Sequence, residues 1–597
     1  MTYIPPETLQ KEADKLLQEL IPKKDLMKAK ERTRLPSQAM PAQDPNVRIT
    51  NLDEVALGYT PEQARVEAMR CTQCKKQPCI AGCPVGIDIP RFIKHIADGE
   101  FQESINVIKE QSILPAICGR VCPQEVQCQL PCTVGKSLKD VNKAVSIGRL
   151  ERFVSDWERE QGSVQIPAVK PATGKKVAIV GSGPAGLVVA TDVRREGHDV
   201  TIFEAFHKPG GVVRYGIPEF RLPNTLVDAD IDTLDKMGVK LETNFVVGRT
   251  RKLVDLMKKD GFDAVFVGSG AGLPMFMGIE GENLVGVFSA NEYLTRANLM
   301  RAFERGAADT PIYKSKKVVV LGGGNVAMDA ARMAKRLGAE QVYVVYRRTE
   351  VEMPARVEEV EHAKEEGIIF HFLQNASKII GDDKGKVKAM ECLRYELGEP
   401  DDSGRRRPVV IEGSEFEIEV DTVLVSIGNG SNPLIPQTTS EMEVNRWGNI
   451  VVNEGQKTSM DRVYAGGDIV LGAATVILAM GEGRNGVYLA TQGFNVLGLD
   501  ISPIGLNKAH QLAEHHNVTI QTRVVDLENY QLEKNSYDLI LCTYYMQRDL
   551  FNKIKDSLKP GGMVLIETFN TDYLKYSRFP KKYLLKHNEL LEIFKDF

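Results

Sequence analysis

The chain has 597 residues, 43% hydrophobic and 26% charged, enough apolar material for about four domains and too much for a disordered chain. Lys and Arg number 76 against 80 Asp and Glu, a net charge of −4, a balance that argues against a nucleic-acid or membrane-surface partner. The start, MTYIPPETLQKEADKLL, lacks the pattern of a secretion signal and no apolar run approaches ~20 residues, so a cytoplasmic protein is expected.

Residues 1–165 read as helices joined by cysteine-bearing loops. PEQARVEAMR, PRFIKHIADGE and FQESINVIKEQ carry apolar residues at helical spacing, and two open on a proline suited to a first turn. Eight of the ten cysteines fall between Cys71 and Cys132. They are Cys71, Cys74, Cys79 and Cys83 followed by Pro84, then Cys118, Cys122 followed by Pro123, Cys128 and Cys132. Thiolates converging from loops, with a Cys-Pro step, are the ligand pattern of iron–sulfur proteins, and two [4Fe–4S] clusters are expected. Zinc competes, but the gaps give no second Cys-x2-Cys knuckle, and disulfides do not suit a chain without a secretion signal. In two-cluster folds the last cysteine of a run often serves the other cluster. Cys71, Cys74, Cys79 and Cys132 then form one set, and Cys83, Cys122 and Cys128 another that takes either Cys118 or Glu151, from SIGRLERF, as its fourth member. Cys392 and Cys542, alone in apolar runs, read as buried packing residues.

After the linker-like GSVQIPAVKPATGKK the texture becomes α/β, with short apolar strands entering glycine turns, the mark of parallel doubly wound sheets. The strand VAIV runs into Gly181, Gly183 and Gly186, and Glu204 ends the next strand. That is a dinucleotide fingerprint: the glycines let backbone N–H groups approach a pyrophosphate while the carboxylate accepts ribose hydroxyls. A second follows at Gly322, Gly324, Asn325 and Ala327, where Arg347 and Arg348 replace the acid. A carboxylate there repels a 2′-phosphate and guanidinium groups bind it, so this site is expected to take NADPH. Farther on, Gly467, Asp468 and Thr475 fit a permanently bound FAD, through a carboxylate on its sugar or phosphate groups and a helix start near the flavin. Hydride transfer needs no acid or base from the protein, so no catalytic side chain is expected.

The cysteine block, both glycine motifs, GGVVRYGIPEFRLP at 210–223, YRRTEVEMPAR at 346–356 and AGGDIVLGAATVILAMGEGR together resemble the NADPH-dependent glutamate synthase small-subunit family over about residues 30–485. QDPNVRITNLDEVALGYTPEQA is also similar to the large subunit of the electron-bifurcating NADH-dependent ferredoxin:NADP oxidoreductase. The resemblance implies that electrons pass from NADPH through FAD and the clusters to a partner, either a large subunit with FMN and glutaminase domains or a ferredoxin-reducing subunit. It also implies cofactor contacts from Gly211 and Arg214, and cluster ligation by Glu151 within IGxLERF. The expected architecture is α+β and multidomain. A helical iron–sulfur domain (1–165) precedes an FAD domain in two parts (172–284 and 425–492) that encloses an NADPH domain (285–424).

From Gly481 a second resemblance begins. GEGRNGVYLATQGFNVLGLDIS, VVDLENY, SYDLILCTYY and LKPGGMVLIETFN are similar to a class I S-adenosylmethionine-dependent methyltransferase of the tellurite-resistance type. It implies roles for Asp500 at a ribose and Asp526 near an adenine. Ile477 and Ala479 stand where that family has an acid and a glycine, and the chain stops at Phe597, before the last strands of a seven-stranded sheet. The two families claim the same residues around GEGRN: as a helix at the flavin, or as the strand under the methyltransferase cofactor. The helix is expected, despite three glycines that cost roughly 1 kcal/mol each. The segment 493–597 is then an incomplete methyltransferase-like unit expected to bind little or no S-adenosylmethionine, and His510, His515 and His516 are expected on a solvated helix.

Overall fold

The computed structural model describes residues 3–162, 164–304, 308–400, 405–452, 456–472, 475, 496–500, 520–524, 532, 534–543 and 548–567. One compact unit comprises Met1–Glu396, Val410–Val452 and Lys457–Gly481; the other comprises Leu397–Val409, Asn453–Gln456 and Glu482–Phe597.

The first unit opens with helices. Thr60 and Gln63 form a capping box that starts Pro61–Met69, two orphan amides being satisfied by side chains. Ile89–Asp98 buries Ile89, Phe92, Ile93, Ile96 and Ala97, one apolar stripe at helical spacing. It ends at Gly99, whose φ of 85° suits a glycine cap. Phe101–Lys109 follows and buries Ile105 and Ile108. All three helices expected from the periodicity are present.

Two glycines decide how the next helices meet. A Cβ on Gly119, in Pro115–Val121, would sit 2.6 Å from the Arg152 amide nitrogen in Ile147–Glu160. A Cβ on Gly148 would sit 1.9 Å from Gln124 Nε2. The helix carrying Glu151 therefore lies backbone to backbone against the helix carrying Cys118, and the Gln124 side chain fills the gap beside Cys122.

Two parallel sheets follow. The first has the order Val463–Ala465, Ala264–Val267, Lys176–Val180, Asp199–Phe203, Lys240–Glu242. The second has the order Val287–Ser289, Thr422–Val425, Lys317–Leu321, Gln341–Tyr346, Ile369–Phe372. The second sheet falls wholly between two strands of the first, so one dinucleotide domain is inserted in the other. Beside them Val387–Pro400 pairs antiparallel with Gln374–Gly381 and Phe416–Glu419. Cys392 lies there fully buried, as its apolar run predicts.

In the second unit Val496–Asp500 pairs with Ile520–Val524, and Tyr537–Thr543 with Leu558–Glu567, both parallel. Between the latter two strands runs Arg548–Ser557, which buries Leu550, Phe551 and Ile554, a βαβ unit closing its own core. The expected helix with His510, His515 and His516, the choice between helix and strand around GEGRN, and Asp526 lie outside the described residues, as do the side chains of Asp500 and Cys542. Among the described residues no helix is long and apolar enough to cross a membrane.

Gly119→Ala drives a methyl into the Arg152 backbone, and urea denaturation should register a loss of about 1–3 kcal/mol, the usual cost of overpacking.

Candidate active site

A cavity of about 1010 Å³ opens at the C-terminal ends of the first sheet's strands, large enough for a dinucleotide and where open α/β sheets place their ligands. Gly181, Gly183, Glu204, Gly211, Gly467, Asp468 and Thr475 line it, as does Asn325 from the second dinucleotide domain. The glycines serve different ends. A Cβ at Gly181 would strike the Gly268 carbonyl at 2.5 Å and one at Gly186 the Gly181 carbonyl at 2.0 Å, whereas Gly183 has nothing within 4 Å. Gly181 and Gly186 thus shape the turn, and Gly183 leaves an open cradle facing the cavity.

Glu204 is fixed from behind. Its Oε2 accepts from the Ser182 amide at 3.0 Å and from the Ser182 hydroxyl, and its Oε1 accepts from the Phe206 amide at 2.8 Å. The carboxylate therefore ties the end of its strand to the glycine turn. Tyr215 lines the same cavity, and burial raises its phenol to about 12.

Three expectations change. Arg214 does not line the cavity: its Nε donates to the Pro209 carbonyl at 2.8 Å and its Nη2 pairs with Asp228, so it braces the turn around Gly211. Arg347 and Arg348 follow the strand Gln341–Tyr346 and have different surroundings. Arg347 is exposed and Arg348 buried, and neither reaches the cavity. Gly322, Gly324 and Ala327 also lie off it. Gly322, at φ 140°, would strike the Ser426 carbonyl at 2.2 Å with a Cβ, while at Gly324 the nearest atom is a Pro354 carbon at 4.0 Å.

The sequence did not single out Arg221 and Asp329, which line the cavity as an ion pair, Nη1 donating to both carboxylate oxygens at 2.7 and 2.6 Å. Burial raises Asp329 to about 6 against the pull of Arg221. The usable signal was an aspartate one helical turn after Asn325. Also unforeseen are Val121 and Pro123 in the cavity wall, on either side of Cys122. Gln127 Nε2 donates to the Thr475 hydroxyl at 3.2 Å, so the cysteine loop touches the dinucleotide site directly.

The nine described cysteines are free thiols. Burial pushes the Cys71 thiol up to about 11 and the Cys79 thiol up to about 12, with smaller upward contributions from the neighbouring Cys132 and Cys74 in both cases and from Cys71 in the case of Cys79. In a second group Cys83 feels Glu151, Cys122 is hydrogen-bonded to Cys118 and feels Glu151 and Cys128, and Cys128 feels Glu151, Cys83 and Cys79. Cys71 and Cys74 are half-buried, whereas every member of the second group is buried.

Glu151 is the telling residue. Burial alone raises its carboxyl to about 8, and its Oε1 is buried with no hydrogen-bond partner. A carboxylate so placed is costly unless it meets a cation, and thiols and a carboxylate stripped of water form the donor set that cluster iron compensates.

Residues 48–163 match the family described as dihydropyrimidine dehydrogenase domain II, 4Fe-4S cluster, and residues 175–483 that of pyridine nucleotide-disulphide oxidoreductase. The glutamate synthase [NADPH] small chain of Azospirillum brasilense is 36% identical over 459 residues, spanning 75% of this chain and 93% of that one. The corresponding small chain of Escherichia coli (strain K12) is 36% identical over 445 residues, spanning 73% and 93%. The chain belongs to the glutamate synthase small-chain family. Like the family it is an oxidoreductase built from an iron–sulfur helical domain and two dinucleotide domains. The NADP(+)-dependent formate dehydrogenase subunit beta of Moorella thermoacetica is 39% identical over 431 residues, spanning 68% of this chain but 58% of the relative. This chain thus covers less than two thirds of that protein. Unlike a small chain alone, residues 476–562 match a methyltransferase domain, which overlaps the oxidoreductase match at 476–483.

Gly183→Ala should leave the unfolding midpoint of flavin-free protein unchanged, since the methyl has room. It should cost flavin binding about 1–3 kcal/mol through overpacking, roughly tenfold in Kd, read from flavin absorbance retained after gel filtration.

Proposed function

We propose that this chain is an NADPH-oxidising electron-input subunit with FAD and two [4Fe–4S] clusters, delivering electrons to a large subunit of the FMN and glutaminase kind. When bound, FAD would supply the conversion between two-electron hydride chemistry and the one-electron chemistry of iron–sulfur clusters, which is the cofactors' own chemistry. The observation that carries the reading is the cavity's composition: flavin-domain turns, the nicotinamide-domain helix and the loop around Cys122 share one wall.

The protein's part is positioning and exclusion of water. Gly183 and Gly211 let backbone amides face a pyrophosphate, Glu204 accepts from a ribose, and Asp468 with Thr475 borders the far end of the cavity. Cys83, Cys122, Cys128 and Glu151 hold the cluster nearer the flavin, with Cys118 supporting Cys122 through its hydrogen bond. Cys71, Cys74, Cys79 and Cys132 hold the outer one, and the half-buried Cys71 and Cys74 among them put it nearest a partner. In the nicotinamide domain the exposed Arg347 is the residue free to meet a 2′-phosphate, and Arg348 is part of the buried framework.

Purified anaerobically, the chain should carry about eight irons, the content of two [4Fe–4S] clusters, and bleach its flavin with NADPH faster than with NADH. Colourless, zinc-loaded protein overturns the reading. Arg347→Ala should raise KM for NADPH on the order of tenfold, the worth of a charged hydrogen bond, and leave KM for NADH unchanged in steady-state assays with an artificial acceptor. Glu151→Ala should halve the iron and remove one EPR signal on reduction, whereas Cys118→Ala should retain both.

A further inference from the structure

The segment Met353–Arg356 lies on the second glycine loop. The Ala355 amide donates to the Gly323 carbonyl at 3.2 Å, and the Arg356 amide donates to Asn325 Oδ1 at 2.9 Å. Asn325 opens its helix and lines the large cavity. The Arg356 side chain points the other way, into the iron–sulfur domain. Its Nη1 donates to the Arg120 carbonyl at 2.9 Å, its Nη2 to Gln124 Oε1 at 3.3 Å, and its Nε pairs with Glu125 Oε1 at 3.2 Å. These acceptors flank Cys122. Arg356 is buried, and Gln124 is itself locked by its bond to the Gly119 carbonyl and by the missing side chain at Gly148.

We propose that Arg356 is a positioning residue that couples occupancy of the nicotinamide-nucleotide loop to the Cys122 ligand loop, so that NADP+ binding tightens the surroundings of the cluster nearer the flavin. This rests on the functional reading above. A nucleotide phosphate at Gly324 and Asn325 restrains the atoms that hold the Arg356 backbone. A guanidinium held by three acceptors in the iron–sulfur domain, and by Glu358 Oε2 at 3.4 Å beside it in its own segment, transmits that restraint because its planar fork has little freedom left once bonded. The link is a coupling free energy and is therefore reciprocal: the state of the cluster loop feeds back on nucleotide affinity by the same factor. The loop is held from its other end by the Gln127 bond to Thr475, so it is braced by both dinucleotide sites at once.

Hydrogen–deuterium exchange of the full, anaerobically purified chain with and without NADP+ tests this. In the wild type NADP+ should slow exchange at Gly322–Met328 and also at Gln124–Gln129, the latter by about fivefold or more, the low end for coupled sites. In Arg356→Ala protection at Gly322–Met328 persists and protection at Gln124–Gln129 disappears. Glu125→Gln, which loosens the same link from the cluster side, gives a partial loss and serves if Arg356→Ala does not fold. The EPR line shape of the reduced clusters shifts with NADP+ in the wild type and not in Arg356→Ala. A wild-type Gln124–Gln129 segment indifferent to NADP+, retained protection there in both variants, or joint loss of protection at both segments in Arg356→Ala overturns the proposal. A purely architectural role would lower the unfolding midpoint without altering the NADP+-dependent difference. Iron content and NADPH bleaching of the flavin, measured on the same preparations, report separately on the functional reading.

Discussion

Burying six cysteine sulfurs and a carboxylate, with two more sulfurs half-buried beside them, within a small helical domain is the constraint on which the rest of this structure turns. Desolvation pushes Cys71, Cys79 and Glu151 far toward their protonated forms, and only a cationic centre among them makes the deprotonated ligands affordable. The packing that achieves the burial is specific. Gly119 removes a side chain where two helices must touch and Gly148 makes room for the Gln124 side chain, and this close approach sets Glu151 beside Cys122. Loosening that contact would let water reach the Glu151 carboxylate and lower the desolvation that raises it.

The second governing fact is that three domains share one cavity wall. Neither sheet alone encloses it: the flavin-side turns supply its floor, Asn325 and Asp329 one flank, and Val121 and Pro123 another. The Arg221–Asp329 pair ties the flavin-domain turn to the nicotinamide-domain helix through two short hydrogen bonds. Arg221 also reaches Glu359, and Arg332 joins Glu359 and Glu366. Buried ion pairs of this kind add little net stability, but removing one member leaves a charge stranded, so they hold geometry more than they hold the fold together.

Much of this was legible in the chain. The glycine fingerprints, the cysteine spacing and the apolar stripes of Ile89–Asp98 and its neighbours are local signals, set by backbone clashes and helical period. Contacts decided by distant partners were not legible. Arg214 looked like a cofactor ligand but turns to Asp228, because a residue fourteen positions later meets it. The Arg347–Arg348 pair looked like a double clamp, yet in the bend after the strand one is exposed and the other buried. Arg356 and Gln127 carried no motif-level signal of their reach across domains, since their partners Glu125 and Thr475 lie hundreds of residues away. The methyltransferase-like segment shows the same divide: its apolar runs form strands that pair in parallel, whereas the phrase claimed by both families has no local pattern that chooses between helix and strand.

Val463–Ala465 adds to the flavin-domain sheet beside Ala264–Val267, with about two hundred residues of chain between partners. At a synthesis rate of roughly 5–20 residues per second, the ribosome needs about ten to forty seconds to deliver that strand. Throughout the interval the first four strands wait with the AVFV segment as an open, wholly apolar edge, the kind that recruits other chains. The inserted nicotinamide domain can complete its own sheet during the same wait. Birth of the protein is therefore ordered from the inside out, and its most aggregation-prone moment falls between the two halves of the flavin site.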